Sequence, residues 1–277
     1  MYADVISCSR RTDIPRCYPG WLEEKLAAGS VTFRGPRGGL RTVSLAPDAV
    51  HSLVLWSKDY GPLLKRNRLL QLVEKLNPFF HFTITGLGGS VWEPDVPGWE
   101  SAVEAAERLA ARFGSERINW RFDPVVHWRE GTGTASNLAC FGTVAAAMSE
   151  IGIKTCTFSF AQWYSKSRRR AGREGLEYVD PPGGEKLGAA AGLIREGQRL
   201  GIRLASCSNP EFEAIPGVNK ARCIDGGLLA ELRVDGVAAS LAKDASQRDL
   251  CGCTRSIDIG SYAQRCAGRA CAYCYAN

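Results

Sequence analysis

A chain of 277 residues with 45% apolar and 23% charged side chains can bury a sizeable core, which excludes a wholly disordered chain. Its net charge of +6, from 35 basic and 29 acidic residues, is compatible with a nucleic-acid or phosphate-bearing partner without requiring one. The opening MYADVISCSRRTDIPR lacks the apolar stretch of a secretory signal and no run of about 18 apolar residues follows, so a cytoplasmic protein without a membrane span is expected.

In chain order, β-branched and aromatic runs predict strands at 4–9 (DVISCS), 51–57 (HSLVLWS), 79–85 (FFHFTIT), 117–122 (RINWRF), 154–160 (KTCTFSF) and 202–208 (IRLASCS). GPRGGL (35–40) reads as a turn. Helical spacing places Leu69, Leu72, Val73 and Leu76 on one face, then Val103, Ala106, Ala110 and Phe113 on the next. Ser101 and Glu104 have capping-box spacing, and Gly114 stands where a C-terminal glycine belongs. Further helices carry Leu138, Phe141, Ala145 and Met148, and Leu187, Ala191 and Ile194. SKSRRRAGREG (165–175) has no apolar side chain larger than alanine. It reads as a mobile basic connection, either a solvated loop or a clamp on an anionic substrate.

Strands alternating with helices predict an α/β fold with a parallel sheet covered on both faces: a partial or full TIM-type (β/α) barrel, or an open doubly wound sheet. Residues 1–207 form the βα-repeat core in this reading, and 208–277 a loop-rich, cysteine-containing segment.

In a reducing compartment the eleven cysteines read as free thiols or metal ligands rather than disulfides. Cys266, Cys271 and Cys274 form C-x4-C-x2-C with Tyr273 before the last. Three such thiolates can hold three irons of a [4Fe–4S] cluster and leave the fourth open. Cys207, Cys223, Cys251 and Cys253 remain as a second set of four, for which a second [4Fe–4S] cluster, zinc and ordinary buried thiols are the alternatives. Cys251 and Cys253 can equally join the terminal cysteines in a structural zinc site. Cys8, Cys17, Cys140 and Cys156 read as core or incidental thiols.

Polar residues at the carboxyl ends of parallel strands face the site. They are Ser9, Arg10, Arg11, Thr12 and Asp13 after the first strand, Lys58 after the second, Thr83 and Thr85 at the third, and Arg121 and Asp123 at the fourth. The competing reading makes Arg11 with Asp13, Arg121 with Asp123, and Lys243 with Asp244 paired charges that tie loops together. His51 and His81 read as core or edge residues, and His127 as a residue able to face the site. No Gly-rich phosphate loop, HExxH or GxSxG motif is present.

Taken together, SCSRRTDIPRCYPGWL, LVLWSKDYGPLL, FTITGLG, INWRFDPVV, CIDG, KDASQRDLCGC, SIDIGSY and CAYCYAN resemble the bacterial family called domain of unknown function 1848 over essentially the whole chain. The cysteine triplet also resembles the cluster loop of radical S-adenosylmethionine enzymes, with one residue more than their usual C-x3-C-x2-C, and YCYAN resembles that of spore photoproduct lyase relatives. The resemblance implies a circularly permuted barrel with its cluster motif at the C-terminus. It also implies reductive cleavage of S-adenosylmethionine to a 5′-deoxyadenosyl radical, with electrons from a donor such as flavodoxin or ferredoxin. Tyr273, Arg10, Thr83 and Thr85 would then contact S-adenosylmethionine, and Arg11, Asp13, Lys58, Arg121 and Asp123 a substrate, small molecule or nucleic acid. A non-catalytic, zinc-stabilised binding protein is the remaining alternative.

Overall fold

The computed structural model describes residues 3–34, 39–261 and 263–274, and its central element is an eight-stranded parallel sheet. The strands are β1 (Asp4–Cys8), β2 (Val50–Ser57), β3 (Pro78–Thr83), β4 (Ile118–Val125), β5 (Thr155–Phe160), β6 (Arg203–Ser206), β7 (Val218–Lys220) and β8 (Ile257–Asp258). From β1 to β7 spatial order follows chain order, whereas β8 returns to the free edge of β1. Parallel neighbours need long crossovers. Here these contain α1 (Pro19–Ala27), α2 (Asn67–Glu74), α3 (Trp99–Phe113), α4 (Leu138–Glu150), α5 (Ser165–Arg173) and α6 (Gly183–Arg199).

The side-chain period of two divides the sheet into unlike faces. Ile6 and Cys8, Leu53 and Leu55, Phe80 and Phe82, Trp120 and Phe122, Cys156 and Phe158, and Leu204 join one apolar core. Onto it pack Leu22 and Leu26 of α1, Leu69 and Val73 of α2, Ala106 and Leu109 of α3, Phe141 and Met148 of α4, and Leu193 and Ile194 of α6. The alternate positions are Ser7, Trp56, His81, Asn119, Arg121 and Thr157, an increasingly polar row toward the carboxyl ends. A smaller core of Val5, Val54, Phe79, Ile224, Leu229, Cys223 and Cys253 covers the other end of this second face.

The six expected strands and four expected helices are present, with Gly114 at φ 95° ending α3. Three expectations are corrected. Gly98, not Ser101, precedes the first turn of α3, so the Ser101–Glu104 capping box does not form. Leu187 is exposed, because the buried stripe of α6 runs through Ala190, Leu193, Ile194 and Gly197. The basic 165–175 connection is largely helix: Arg and Lys favour helix, and α5 needs to bury only Ser167 and Ala171. The 35–40 turn falls partly at 35–38, outside the described residues; its flanks, Ser30–Arg34 and Leu40–Ser44, pair as antiparallel strands. The expected boundary at 207/208 falls within the sheet, since β7 and β8 lie beyond it. Among the described residues no helix is long and apolar enough to cross a membrane.

His81 is buried on the polar face, as the core reading expected. Its Nε2 donates to the Cys223 carbonyl at 2.5 Å, Asn119 Nδ2 meets Nδ1 at 3.2 Å, and the ring stacks on Trp56 at 4.0 Å. This pattern requires a neutral ring, and burial, aided by nearby Arg121, lowers the pKa to about 3. Between pH 6.5 and 3 the unfolded chain therefore binds the extra proton, and stability from this group is lost as pH falls. Relative to His81→Gln, the wild-type chain should lose about 1.4 kcal/mol per pH unit in that window. Urea denaturation of both proteins from neutral to acidic pH measures it, and parallel pH profiles would refute it.

Candidate functional site

Ionic groups inside a protein must be answered by partners, and those at the strand ends are. Asp13 caps a short helix, Ile14–Cys17. Its carboxylate accepts from Ser57 Oγ at 2.6 Å, Lys58 N at 2.9 Å and Arg16 N at 3.1 Å, tying the end of β1 to that of β2. Burial raises its pKa to about 7 against the pull of these donors. Lys58 Nζ lies 3.0 Å from Glu93, which is 1% exposed and also accepts from Thr85 Oγ1 at 2.5 Å and from the Tyr273 hydroxyl. Burial alone would lower the Lys58 pKa, but Glu93 and Cys271 raise it above its ordinary value, so the ammonium is charged. Its Nζ stands 5.5 Å from the centre of the Tyr273 ring.

The 266–274 loop is fastened along its length. Ala272 and Tyr273 are buried with Leu87, Trp92, Val126 and Trp163, and Ala272 N donates to the Trp92 carbonyl at 3.0 Å. Arg269 N donates to the Asp95 carboxylate. Gly268 has φ +77° and passes so close that a Cβ would collide with that carboxylate, so only glycine fits both constraints. This turn lies within the five-residue step from Cys266 to Cys271. Arg170 of α5 donates to the carbonyls of Cys271 and Cys274, each at 2.9 Å. Cys17 Sγ accepts from the N–H of Ala267, the neighbour of Cys266, at 3.3 Å. Burial, then Glu93, pushes the Cys271 thiol up to about 12.

Arg121 forms an ion pair with Asp123, which also accepts from Ser159 Oγ. Its other nitrogen donates to Cys223 Sγ at 3.0 Å. Arg121 and Arg10 lie 5.3 and 5.6 Å from the centre of the Trp56 ring. Arg10 N donates to Asp258 at 2.9 Å, and Asp258 also accepts from the Ser7 and Ser9 hydroxyls at 3.1 and 2.8 Å. Arg11 donates to the Gly260 carbonyl at 3.2 Å. Thr83, half-buried, is in register with Arg121.

Of the charge pairs expected to tie loops, Arg121–Asp123 forms. Asp13 instead takes Ser57 and backbone donors, and Lys243 Nζ donates to the Asp249 carbonyl at 2.6 Å. His127 stacks on Phe160 at 6.1 Å. Cys8 and Cys156 are core residues as expected; Cys17, read as core or incidental, is corrected to a neighbour of Cys266. Cys207, Cys223, Cys251 and Cys253 pack together in the smaller core. Among the described residues no three His, Cys, Asp or Glu side chains already converge at metal-ligand geometry. Sequence reasoning missed Glu93, Asp95, Arg170, Asp258 and Cys17. Cys17, Arg170 and Asp258 lie in stretches that stood out, SCSRRTDIPRCYPGWL, SKSRRRAGREG and SIDIGSY, whereas Glu93 and Asp95 lie in none.

The chain belongs to the family described as domain of unknown function (DUF1848), which it matches over residues 5–276, as its motifs led one to expect. No curated protein matches it.

Arg170 of α5 bonds the cysteine loop, whereas Arg169 is exposed. Loss of two charge-assisted bonds should accelerate amide exchange in 266–274 by about tenfold or more in Arg170→Ala. Arg169→Ala should leave it unchanged. Hydrogen-exchange mass spectrometry checks this, and equal protection in both variants would contradict the brace.

Proposed function

We propose that this family member is a radical S-adenosylmethionine-type enzyme whose [4Fe–4S] cluster is held by Cys266, Cys271 and Cys274 and whose substrate lies over the polar strand ends. The observation that carries the reading is the fastened 266–274 loop. Arg170, Trp92, Asp95 and Glu93 hold the loop that carries the three cysteines, and Cys271 lies within the field of Lys58, which follows the carboxyl end of β2. The donor set fits the group: three thiolates on one loop, with a buried ammonium to offset their charge.

A cluster held by Cys266, Cys271 and Cys274 would supply reductive cleavage of S-adenosylmethionine to a 5′-deoxyadenosyl radical, with electrons from an external donor of the flavodoxin or ferredoxin type. The chain's own residues bind and orient. Lys58, Arg10 and Arg121 are the cations available to carboxylate or phosphate groups. Asp123, Thr83 and Ser159 offer hydrogen bonds, and the buried Tyr273 ring walls the site against water. A small anionic molecule suits this polar surface best. Strand order without reversal, with most long helices on one face, favours a partial TIM-type barrel over a doubly wound sheet. The cluster loop then sits where a circular permutation would put it.

A nucleic-acid substrate is the second reading, favoured by the exposed Lys166, Arg168, Arg169 and Arg173 on the helix that braces the loop. It requires salt-dependent binding to single or double strands.

The test is anaerobic reconstitution with iron and sulfide, reduction with dithionite, addition of S-adenosylmethionine and chromatography for 5′-deoxyadenosine. Wild-type chain should form it, and Cys271→Ala should lose more than about 100-fold, beyond the range of an outer-shell change. Cys17→Ala should retain both iron and activity. A loaded four-iron protein that leaves S-adenosylmethionine intact, or a Cys17→Ala chain that loses its iron, would replace this reading with a closed four-thiolate site.

A further inference from the structure

We propose that Cys207, Cys223, Cys251 and Cys253 form a second, four-thiolate metal site that staples the seam of the sheet between β7 and β8. The four come from three separate connections. Cys207 directly follows β6, Cys223 follows β7, and Cys251 and Cys253 precede β8. All four pack in one small cluster, Cys223 and Cys253 buried within it and Cys207 and Cys251 against it, without yet converging at metal-ligand geometry.

Two of the four sulfurs, although part of the smaller apolar core, face hydrogen-bond donors. Cys8 and Cys156 pack among apolar side chains, as neutral thiols do. Cys223 instead accepts from the buried Arg121 guanidinium at 3.0 Å, and Cys253 accepts from Ile224 N at 3.4 Å. A guanidinium gains little from a neutral sulfur and much from an anionic one. Four thiolates sharing one buried place repel one another unless a cation sits among them. Zn²⁺ and a [4Fe–4S] cluster both take four thiolates, and either one thereby leaves no open position. This distinguishes the site from the 266–274 loop.

Its place in the fold gives it a task. Strand pairing ends at β7 on one side and β8 on the other among the described residues. The two edges are linked through the bond from Thr254 N to the Ile224 carbonyl at 2.8 Å, each residue adjacent to one of the cysteines. A metal held by Cys223 and Cys253 locks that link, and Cys207 carries the lock to β6.

The experiment uses the full chain with Cys266, Cys271 and Cys274 all changed to Ala, which leaves this inference independent of the cluster proposed for that loop. One sample is loaded with zinc sulfate and another with ferrous iron and sulfide, both anaerobically, and metal is counted after desalting. Retention of about one zinc or about four irons per chain supports the site and says which metal it prefers. Adding Cys253→Ser should abolish retention, whereas adding Cys156→Ser should not. In the wild-type chain, cobalt(II) absorption reports thiolate ligation without any substitution, and chelation should lower the melting temperature. A folded triple variant that binds neither metal, undiminished binding after Cys253→Ser, or disulfides between these four cysteines would overturn the proposal.

Discussion

A carboxylate shut away from water persists only where cations and donors answer it, and Glu93 is the carboxylate on which the polar face turns. Its three partners, Lys58, Thr85 and Tyr273, belong to the end of β2, the end of β3 and the cysteine loop. Asp13 and Asp258 repeat the device, joining β1 to β2 and β8 to β1. A hydrogen bond to a charged group contributes about 1.5–3 kcal/mol, and stranding its partner costs more. The carboxyl ends of the sheet are therefore held in register by a few acidic side chains, while the apolar core on the other face supplies bulk stability.

This division lets groups of opposite charge stand close together. From the 266–274 loop inward, Cys271 faces Lys58, Lys58 faces Asp123, Asp123 pairs with Arg121, and Arg121 bonds Cys223. Within it Lys58, Asp123 and Arg121 alternate in sign, so each charge offsets its neighbours. Sulfur groups lie at both ends of it, with the polar side chains between them.

The basic helix has a structural role that its composition hides. Ser167 and Ala171 are small enough to let α5 approach the aromatic group around Trp163, and Arg170 can then reach two carbonyls of the cysteine loop. The loop is held mainly by polar bonds at its rim and by two buried side chains. Such regions open at lower free energy than core strands.

How much of this was legible depends on the range of the signal. Apolar alternation marked DVISCS, HSLVLWS and the four later strands, and helical spacing marked α2, α3, α4 and α6, because those patterns lie within a few residues. β7 and β8 have three and two residues, too few to show a period. α5 lacked an apolar stripe because it buries only a serine and an alanine. The sequence by itself determined the family, the α/β alternation and the cysteine spacing. Tertiary structure alone decided that Cys17 meets Cys266, that Arg170 holds Cys271 and that Tyr273 bonds a carboxylate 180 positions away. Those contacts follow from the order of strands in the sheet, which brings distant loops to one edge and leaves no trace in local pattern.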